Sequence, residues 1–353
     1  PTTMPKMAID FWGDAALLVP WAEYEKTGNV HILEKSYDSM KKYVDACKFW
    51  ANLVGVGKHR YIWHTPSIFH FGDWVTPDVE KMSEWQKRSK WTATASLRNT
   101  SMMLSNIAHI LNKPEDEEYY LKLSNKVADA YESIFTDKKG KLHNEFQTGY
   151  VLPLQFNMFS EYNKKAAAYN LKRLVQKHNY CIGTGFPGTP YILFALVDNG
   201  YVKEAYKMLE NTICPSWLYE VKVGATTIWE RWDALDENGE CEIGDDGTGG
   251  MISFNHYASG AVGDFLYRRV AGIEPIECGY KKILIKPIIG GSLTYAKAET
   301  KTPYGNVKSD WKIENNKFIL NVSIPYGSEA KIELPNGDTF IRTHGEYTFE
   351  NNL

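Results

Sequence analysis

The run Gly224-Ala225-Thr226-Thr227-Ile228-Trp229-Glu230-Arg231-Trp232-Asp233 sets one carboxylate, Glu230, between two tryptophans, with Arg231 and Asp233 beside it. About a helix-length downstream, Ser253-Phe254-Asn255-His256-Tyr257 adds a histidine. A carboxylate held among apolar rings is poorly solvated, which raises its pKa and lets it act as a base near neutral pH. Tryptophan faces also stack on the C–H faces of sugar rings. A plainer reading of the same residues is a buried ion pair, Glu230 with Arg231 or another cation, in an aromatic core. Asp233, Asp236 and Glu237 are rival acids close in sequence. Asp236-Glu237-Asn238-Gly239-Glu240 reads as a solvated polar turn, and Asp233 as a residue that orients its neighbours.

Other landmarks follow in order along the chain. They are Phe11-Trp12-Gly13-Asp14-Ala15-Ala16 with Val19-Pro20-Trp21, then Phe71-Gly72-Asp73-Trp74, then Thr184-Gly185-Phe186-Pro187-Gly188-Thr189-Pro190-Tyr191, then Asn255-His256-Tyr257. With the Glu230 run, this set resembles the signature of the family 78 glycoside hydrolases, the inverting α-L-rhamnosidases. The resemblance runs from near residue 8 to the C-terminus.

The resemblance implies hydrolysis of terminal α-L-rhamnosyl residues from a rhamnose-containing carbohydrate, with no cofactor and no metal. It implies Glu230 as the general base, and Trp12, Trp74, His256 and Asp73 as substrate contacts. Inverting chemistry places two carboxyl groups about 6.5–9.5 Å apart, one protonating the leaving oxygen and one taking a proton from the attacking water. The family's general-acid stretch, rich in Asp, Arg, Glu and Trp, is expected some tens of residues upstream of the Trp12 segment. The chain is therefore expected to be an N-terminally truncated fragment with little activity alone. His256 has a second reading, as a helix-terminal histidine bonded to backbone. Asp73 and Asp14 have a second reading as helix caps, the structural role fitting Asp14 better. Two rival functions stay open: another (α/α)6 glycoside hydrolase or phosphorylase, and a non-catalytic sugar-binding relative.

Composition narrows the partners. A formal charge of −3 over 353 residues offers no concentrated basic surface for nucleic acid or anionic membrane. No stretch approaches the ~18 apolar residues of a spanning helix. No signal peptide is visible, and compartment and oligomeric state stay open. The five cysteines are scattered, odd in number and without metal-ligand spacing, so they read as free thiols. Eleven Trp and twenty-two Tyr suit a carbohydrate cleft, although large helical cores use them too. Gly244-Asp245-Asp246-Gly247-Thr248-Gly249-Gly250 lacks the Lys-Ser/Thr of a phosphate loop, and its two acids are weak grounds for Ca²⁺.

The elements that must position these residues change period along the chain. Leu33, Tyr37, Met40, Val44, Cys47 and Ala51, with a second row Tyr43, Ala46, Trp50 and Leu53, predict a helix over 30–54 buried on a wide arc. Leu97, Leu104, Ala108 and Leu111 predict another over 92–112. Lys113-Pro114 then breaks it, and Tyr120, Leu123, Val127, Ala130 and Ile134 mark the next. Further helices are expected near 160–178, 189–199, 201–213 and 254–271, nine or ten in all. After Gly272 the period falls to two. Val307, Ser309, Trp311 and Ile313 form one strand and Phe318, Leu320, Val322 and Ile324 the next, with Asn315-Asn316 between them. Pro335-Asn336-Gly337-Asp338 supplies another turn. The expected fold is mainly α with a C-terminal β domain. Residues 1–272 would be helical, which the resemblance extends to an (α/α)6 barrel incomplete at its start, and residues 273–353 an antiparallel β-sandwich.

Overall fold

The computed structural model describes residues 7–66, 69–241, 248 and 250–353. The acidic glycine loop at 244–250 lies mostly outside the described residues. Contacts divide the chain into two units, Pro1–Leu18 with Ser36–Ala261, and Val19–Lys35 with Val262–Leu353.

The helices are α1 (Ala15–Thr27), α2 (His31–Asn52), α3 (Met82–Lys87), α4 (Ser89–Ile110), α5 (Pro114–Phe135), α6 (Gln147–Gln155), α7 (Glu161–Lys177), α8 (Ile192–Val197), α9 (Val202–Leu209), α10 (Trp217–Lys222), α11 (Tyr257–Gly260) and α12 (Val262–Phe265). The long ones follow the apolar stripes. All six residues of the first α2 row are buried, whereas Leu53 of the second row falls beyond the helix and is exposed. α4 and α5 form a hairpin: Asn112 turns with a positive φ of 54°, and Pro114 opens α5, where its missing N–H costs nothing. Ser105 Oγ donates to the Glu117 carbonyl at 2.8 Å and Arg98 to Ser124 Oγ at 2.5 Å, pairs set symmetrically about that turn.

Twelve α-helices occur among the described residues, against the nine or ten helices expected. α3 and α10 have six residues each, too few for a stripe, and α6 is buried on nearly every side, so neither pattern is periodic. The helix expected over 254–271 is instead two four-residue turns, α11 and α12, continued by a π-helical turn at Leu266–Val270. Gly260 and Gly263 weaken a continuous helix there.

The second unit carries eight strands: β1 (Ile273–Pro275), β2 (Lys282–Ile285), β3 (Tyr295–Thr302), β4 (Gly305–Glu314), β5 (Lys317–Ile324), β6 (Glu329–Glu333), β7 (Thr339–Arg342) and β8 (Gly345–Asn352). They form two four-stranded sheets, ordered β1-β2-β6-β7 and β3-β4-β5-β8. Asn315 and Asn316, at φ 51° and 60°, make the two-residue turn that fixes Glu314 opposite Lys317. Val307, Ser309, Trp311, Phe318, Leu320, Val322 and Ile324 are buried, as the alternation requires. Phe340 of β7 meets Phe349 of β8 at 4.9 Å between ring centroids, linking the sheets. One pairing departs from the expected antiparallel sandwich: β2 and β6 are parallel. The chain leaves β2, builds β3, β4 and β5 in the other sheet, and returns in the same direction, which no local alternation announces.

Among the described residues no helix is long and apolar enough to cross a membrane. No group of three or more His, Cys, Asp or Glu is placed to hold a metal ion there. All five cysteines are free thiols.

Candidate active site

The Glu230 segment is held from behind and from one side. Ser216 caps α10 by accepting the Tyr219 N–H at 3.1 Å. The Glu220 carbonyl at the end of that helix accepts the Ala225 N–H at 2.9 Å, and the Glu220 side chain accepts the Trp229 N–H at 3.2 Å. Residues 228–230 then run beside 253–256: Glu230 N donates to the Ser253 carbonyl at 2.8 Å and His256 N to the Ile228 carbonyl at 2.9 Å. These two backbone bonds join a carboxylate and an imidazole that lie far apart in sequence. The flanking indoles are anchors. Trp229 packs edge-on against Phe254 at 5.4 Å and Trp232 against Trp217 at 5.5 Å, both tryptophans being buried.

The Glu230 side chain is 7% exposed, and its Oε1 lies 3.8 Å from His256 Nε2. That imidazole is the one hydrogen-bonding or ion-pairing partner of the carboxylate among the described residues. At 3.8 Å the pair is too long for a direct hydrogen bond. Arg231, the cation suggested for a structural pair, turns its Nε to Asp233 at 3.3 Å. His256 is the N-cap of α11, its Nδ1 accepting the Ala258 N–H at 3.2 Å. With Nδ1 an acceptor, the proton of the neutral ring sits on Nε2, facing Glu230.

Rings wall this pair. Phe186 lies against the His256 ring at 4.6 Å, and Trp12 stands 6.4 Å from Phe186 while stacking on Phe71 at 4.1 Å. Trp12 is 39% exposed, so a broad indole face is open. Trp74 is buried behind Phe71, edge-on at 5.0 Å, and its other side meets Trp85 at 5.3 Å.

Asp73 is fully buried. Its Oδ1 accepts from Thr148 Oγ1 at 2.7 Å and Gly185 N at 2.9 Å, and its Oδ2 from Arg88 at 2.9 Å. Expected as a substrate contact, it has both oxygens bonded within the protein and no surface facing a ligand. Its work is to seat the 184–191 loop, where the Phe186 N–H also reaches the Trp74 carbonyl at 2.9 Å. Gly185 is required at that junction, since a Cβ there would lie 2.4 Å from the Trp74 oxygen and 2.6 Å from the Asp73 carbonyl carbon. Burial lifts the Asp73 carboxyl to about 6, against the lowering by Arg88.

Asp14 is buried likewise, its Oδ1 accepting from Tyr43 at 2.7 Å and Ser96 at 2.8 Å. Desolvation pushes it up to about 7 although both hydroxyls pull it down. Asp10 bonds His70 Nδ1 at 2.6 Å and Thr92 at 3.0 Å. The segment carrying Trp12 is thus pinned to α2 and α4 by acids on each side of the indole. Asp236 turns inward on its own loop, accepting from the Asn238 and Glu240 N–H groups at 2.8 Å each.

Three contributors went unseen in the sequence. Phe71 and Phe186 lie inside the landmark motifs, whose identity flagged their neighbours instead. Glu220 sits in the short Trp217–Lys222 helix with no periodic or compositional mark. It is buried, one oxygen bonding Trp229 N and Oε1 meeting no partner, and desolvation raises its carboxyl to about 8. It holds the backbone of the residue before Glu230 and is a neutral acid near pH 7.

A carboxylate and an imidazole, walled by aromatic rings, thus sit together on a scaffold of helical hairpins, the scaffold of a six-hairpin glycosidase domain. Residues 1–270 match the bacterial alpha-L-rhamnosidase six-hairpin glycosidase domain, and residues 272–349 the bacterial alpha-L-rhamnosidase C-terminal domain; the chain belongs to this family. An alpha-L-rhamnosidase of Formosa agariphila is 38% identical over 329 residues, covering 92% of this chain and 34% of the relative. One from Streptomyces avermitilis is 31% identical, covering 95% and 31%. Among solved structures, native alpha-L-rhamnosidase from Aspergillus terreus superimposes with a TM-score of 0.88 at 32% identity, covering 98% of this chain and 39% of that one. The Streptomyces avermitilis alpha-L-rhamnosidase complexed with L-rhamnose gives 0.87 at 28% identity, covering 98% and 33%. The chain therefore spans about a third of the length of the curated relatives it matches.

Proposed function

We propose that this chain supplies the base half of an inverting α-L-rhamnosidase, which hydrolyses terminal α-L-rhamnosyl residues of a glycoside or polysaccharide. The observation that carries the reading is Glu230, nearly buried, with its carboxylate 3.8 Å from an Nε2–H of His256 beneath the Trp12, Phe71 and Phe186 rings. Glu230 takes a proton from water as the water oxygen attacks the anomeric carbon, while an acid on the other face protonates the departing glycosidic oxygen. His256 Nε2–H donates to a sugar hydroxyl or to the attacking water, its ring direction fixed by the Nδ1 bond to Ala258. The exposed face of Trp12 receives the apolar face and C6 methyl of a 6-deoxy sugar. Trp74 supports Phe71 from behind, and Asp73 positions Phe186.

The deciding experiment titrates L-rhamnose, L-fucose and D-glucose into the chain and follows tryptophan fluorescence and heat. The expected result is saturable binding of rhamnose with weaker binding of the other two, lost in Trp12→Ala. Equal response to all three sugars would remove rhamnose as the ligand.

A further inference from the structure

Three turns meet at one end of the β unit: Pro303-Tyr304 between β3 and β4, Pro325-Tyr326-Gly327-Ser328 between β5 and β6, and Thr343-His344 between β7 and β8. The register puts them there, since Lys308 near the start of β4 faces Ser323 near the end of β5, and Ile324 faces Gly345 at the start of β8. These turns hold two tyrosines and a histidine and no acid. Tyr326 is 81% exposed. Its one ring neighbour is His344, at 5.5 Å and 70°, an edge-to-face contact that leaves a tyrosine face open to solvent. Gly327 lets the turn carrying it settle on Tyr304: its φ is 89°, and a Cβ there would lie 2.9 Å from the Tyr304 ring.

Arg342 stands just before the last turn, on β7. β7 and β8 are the free edges of the two sheets, and their rings Phe340, Tyr347 and Phe349 line the open side between them. The guanidinium carbon of Arg342 lies over these three rings at 5.4, 5.7 and 5.8 Å, within cation–π range. Tyr347 donates its hydroxyl to the His344 carbonyl at 3.2 Å, which ties Arg342 to the Tyr326–His344 pair. Among the described residues the guanidinium makes one hydrogen bond, from Nη1 to the Ile341 carbonyl at 2.9 Å, and no ion pair. The neighbouring acids alternate away from it: Ala330, not Glu329, stands opposite Arg342, and Glu346 precedes the inward Tyr347. The hydrocarbon stem alone would suffice to cover an apolar edge. The stacked fork adds planar donors held in one direction, the geometry that matches a carboxylate.

We propose that this end of the β unit is a carbohydrate-binding site for a uronic acid unit of a polysaccharide. The sugar carboxylate lies on the Arg342 guanidinium and a C–H face of the ring on Tyr326. The carboxylate is chosen by charge complementarity to an arginine without an acidic partner. A sugar is chosen over other carboxylates by the open tyrosine face, and to that extent the choice rests on the rhamnosidase reading of the chain.

The test is calorimetric titration of the full chain with trigalacturonate, its methyl ester and triglutamate. Trigalacturonate carries no rhamnose, so its failure to bind leaves the Glu230 site and its own rhamnose titration untouched. Trigalacturonate should bind saturably, and more weakly as salt is raised. The methyl ester keeps the rings without the charge, and triglutamate keeps the charge without the rings, so each should bind at least about tenfold more weakly. Tyr326→Ala, at an exposed position, should leave the melting temperature unchanged and weaken trigalacturonate by about tenfold. Arg342→Lys keeps the charge and the stem but loses the fork, and should weaken it to a similar extent. No binding of trigalacturonate, or a Tyr326→Ala variant that binds it as wild type does, overturns the site. Triglutamate or the methyl ester binding as tightly as trigalacturonate overturns it too, because the site would then read only a charge or only a ring.

Discussion

His256 reaches in two directions at once: its Nδ1 accepts the Ala258 N–H at 3.2 Å, and its Nε2 stands 3.8 Å from Glu230 Oε1. The bond to its own helix orients the ring, and the orientation presents a donor to the carboxylate. The structural and functional roles considered for this histidine are thereby carried by different atoms of one ring. His256→Asn separates them. Asparagine is a good N-cap, so the unfolding free energy should change by less than about 1 kcal/mol. The amide does not reach as far as the imidazole, so the donor proposed for the sugar or the attacking water is lost and turnover should fall by roughly 10-fold, the worth of about one hydrogen bond. Equal loss of stability and turnover in thermal melts and initial rates would make the residue a cap alone.

Glu230→Gln keeps the shape of the side chain and removes the base. In a protein that carries this chain together with the acid, turnover of an aryl α-L-rhamnoside should drop by about 10²–10⁴, with KM nearly unchanged. Azide should restore part of the rate and give a product of inverted configuration. A structural ion pair predicts the opposite pattern, since breaking one costs about 3–5 kcal/mol and activity would follow the melt. Measuring kcat and melting temperature on one preparation tells them apart.

What was legible in the sequence depended on how local the signal was. The 305–324 hairpin could be placed to the residue because two asparagines and a period of two specify register by themselves. The long helices showed through their stripes, and α8 and α9 fall inside the stretches expected at 189–199 and 201–213; α10, at six residues, left no trace, and α11 and α12, at four each, stand where one longer helix was expected. In the site, the Glu230 and His256 runs stood out by residue type, and two backbone bonds bring them together. Asp73 shows the limit. A carboxylate beside a tryptophan looks the same in sequence whether it faces a cleft or Arg88, Thr148 and Gly185 from buried loops. Glu220 shows the converse, because a single acid in a short helix gives no sign that its carboxyl bonds the backbone next to the base.

Asp14 makes stability depend on pH. Its carboxyl is raised by burial from 3.8 to about 7, so the folded state holds a proton that the unfolded chain releases. That contribution is fully present below about pH 3.8 and is lost as pH rises through about 7. Wild type should therefore lose stability relative to Asp14→Asn steadily from pH 4 to 7, and the two should run parallel above 8. Urea titrations across that range check it, and a constant difference would show that Asp14 is ionised in the fold.

Glu220 is the sharper case because its state sets the backbone of the residue before Glu230. The carboxyl, raised to about 8 by desolvation, is neutral at pH 6, with one oxygen accepting the Trp229 N–H and the other unpartnered. Glu220→Gln is isosteric with that neutral form and keeps an acceptor, so at pH 6 turnover and stability should stay near wild type. Glu220→Leu leaves the Trp229 N–H unpaired in a buried site, at a cost of about 1–3 kcal/mol, and frees the chain next to the base. Its turnover should fall further than its melting temperature accounts for. In wild type, ionisation as pH passes about 8 puts a charge into the same buried space, so rhamnoside turnover should decline there and the Gln variant should lack that decline. Rates from pH 5 to 10 for the three proteins decide the matter: a Gln variant as impaired at pH 6 as the Leu variant would mean that the carboxyl works as a charged group.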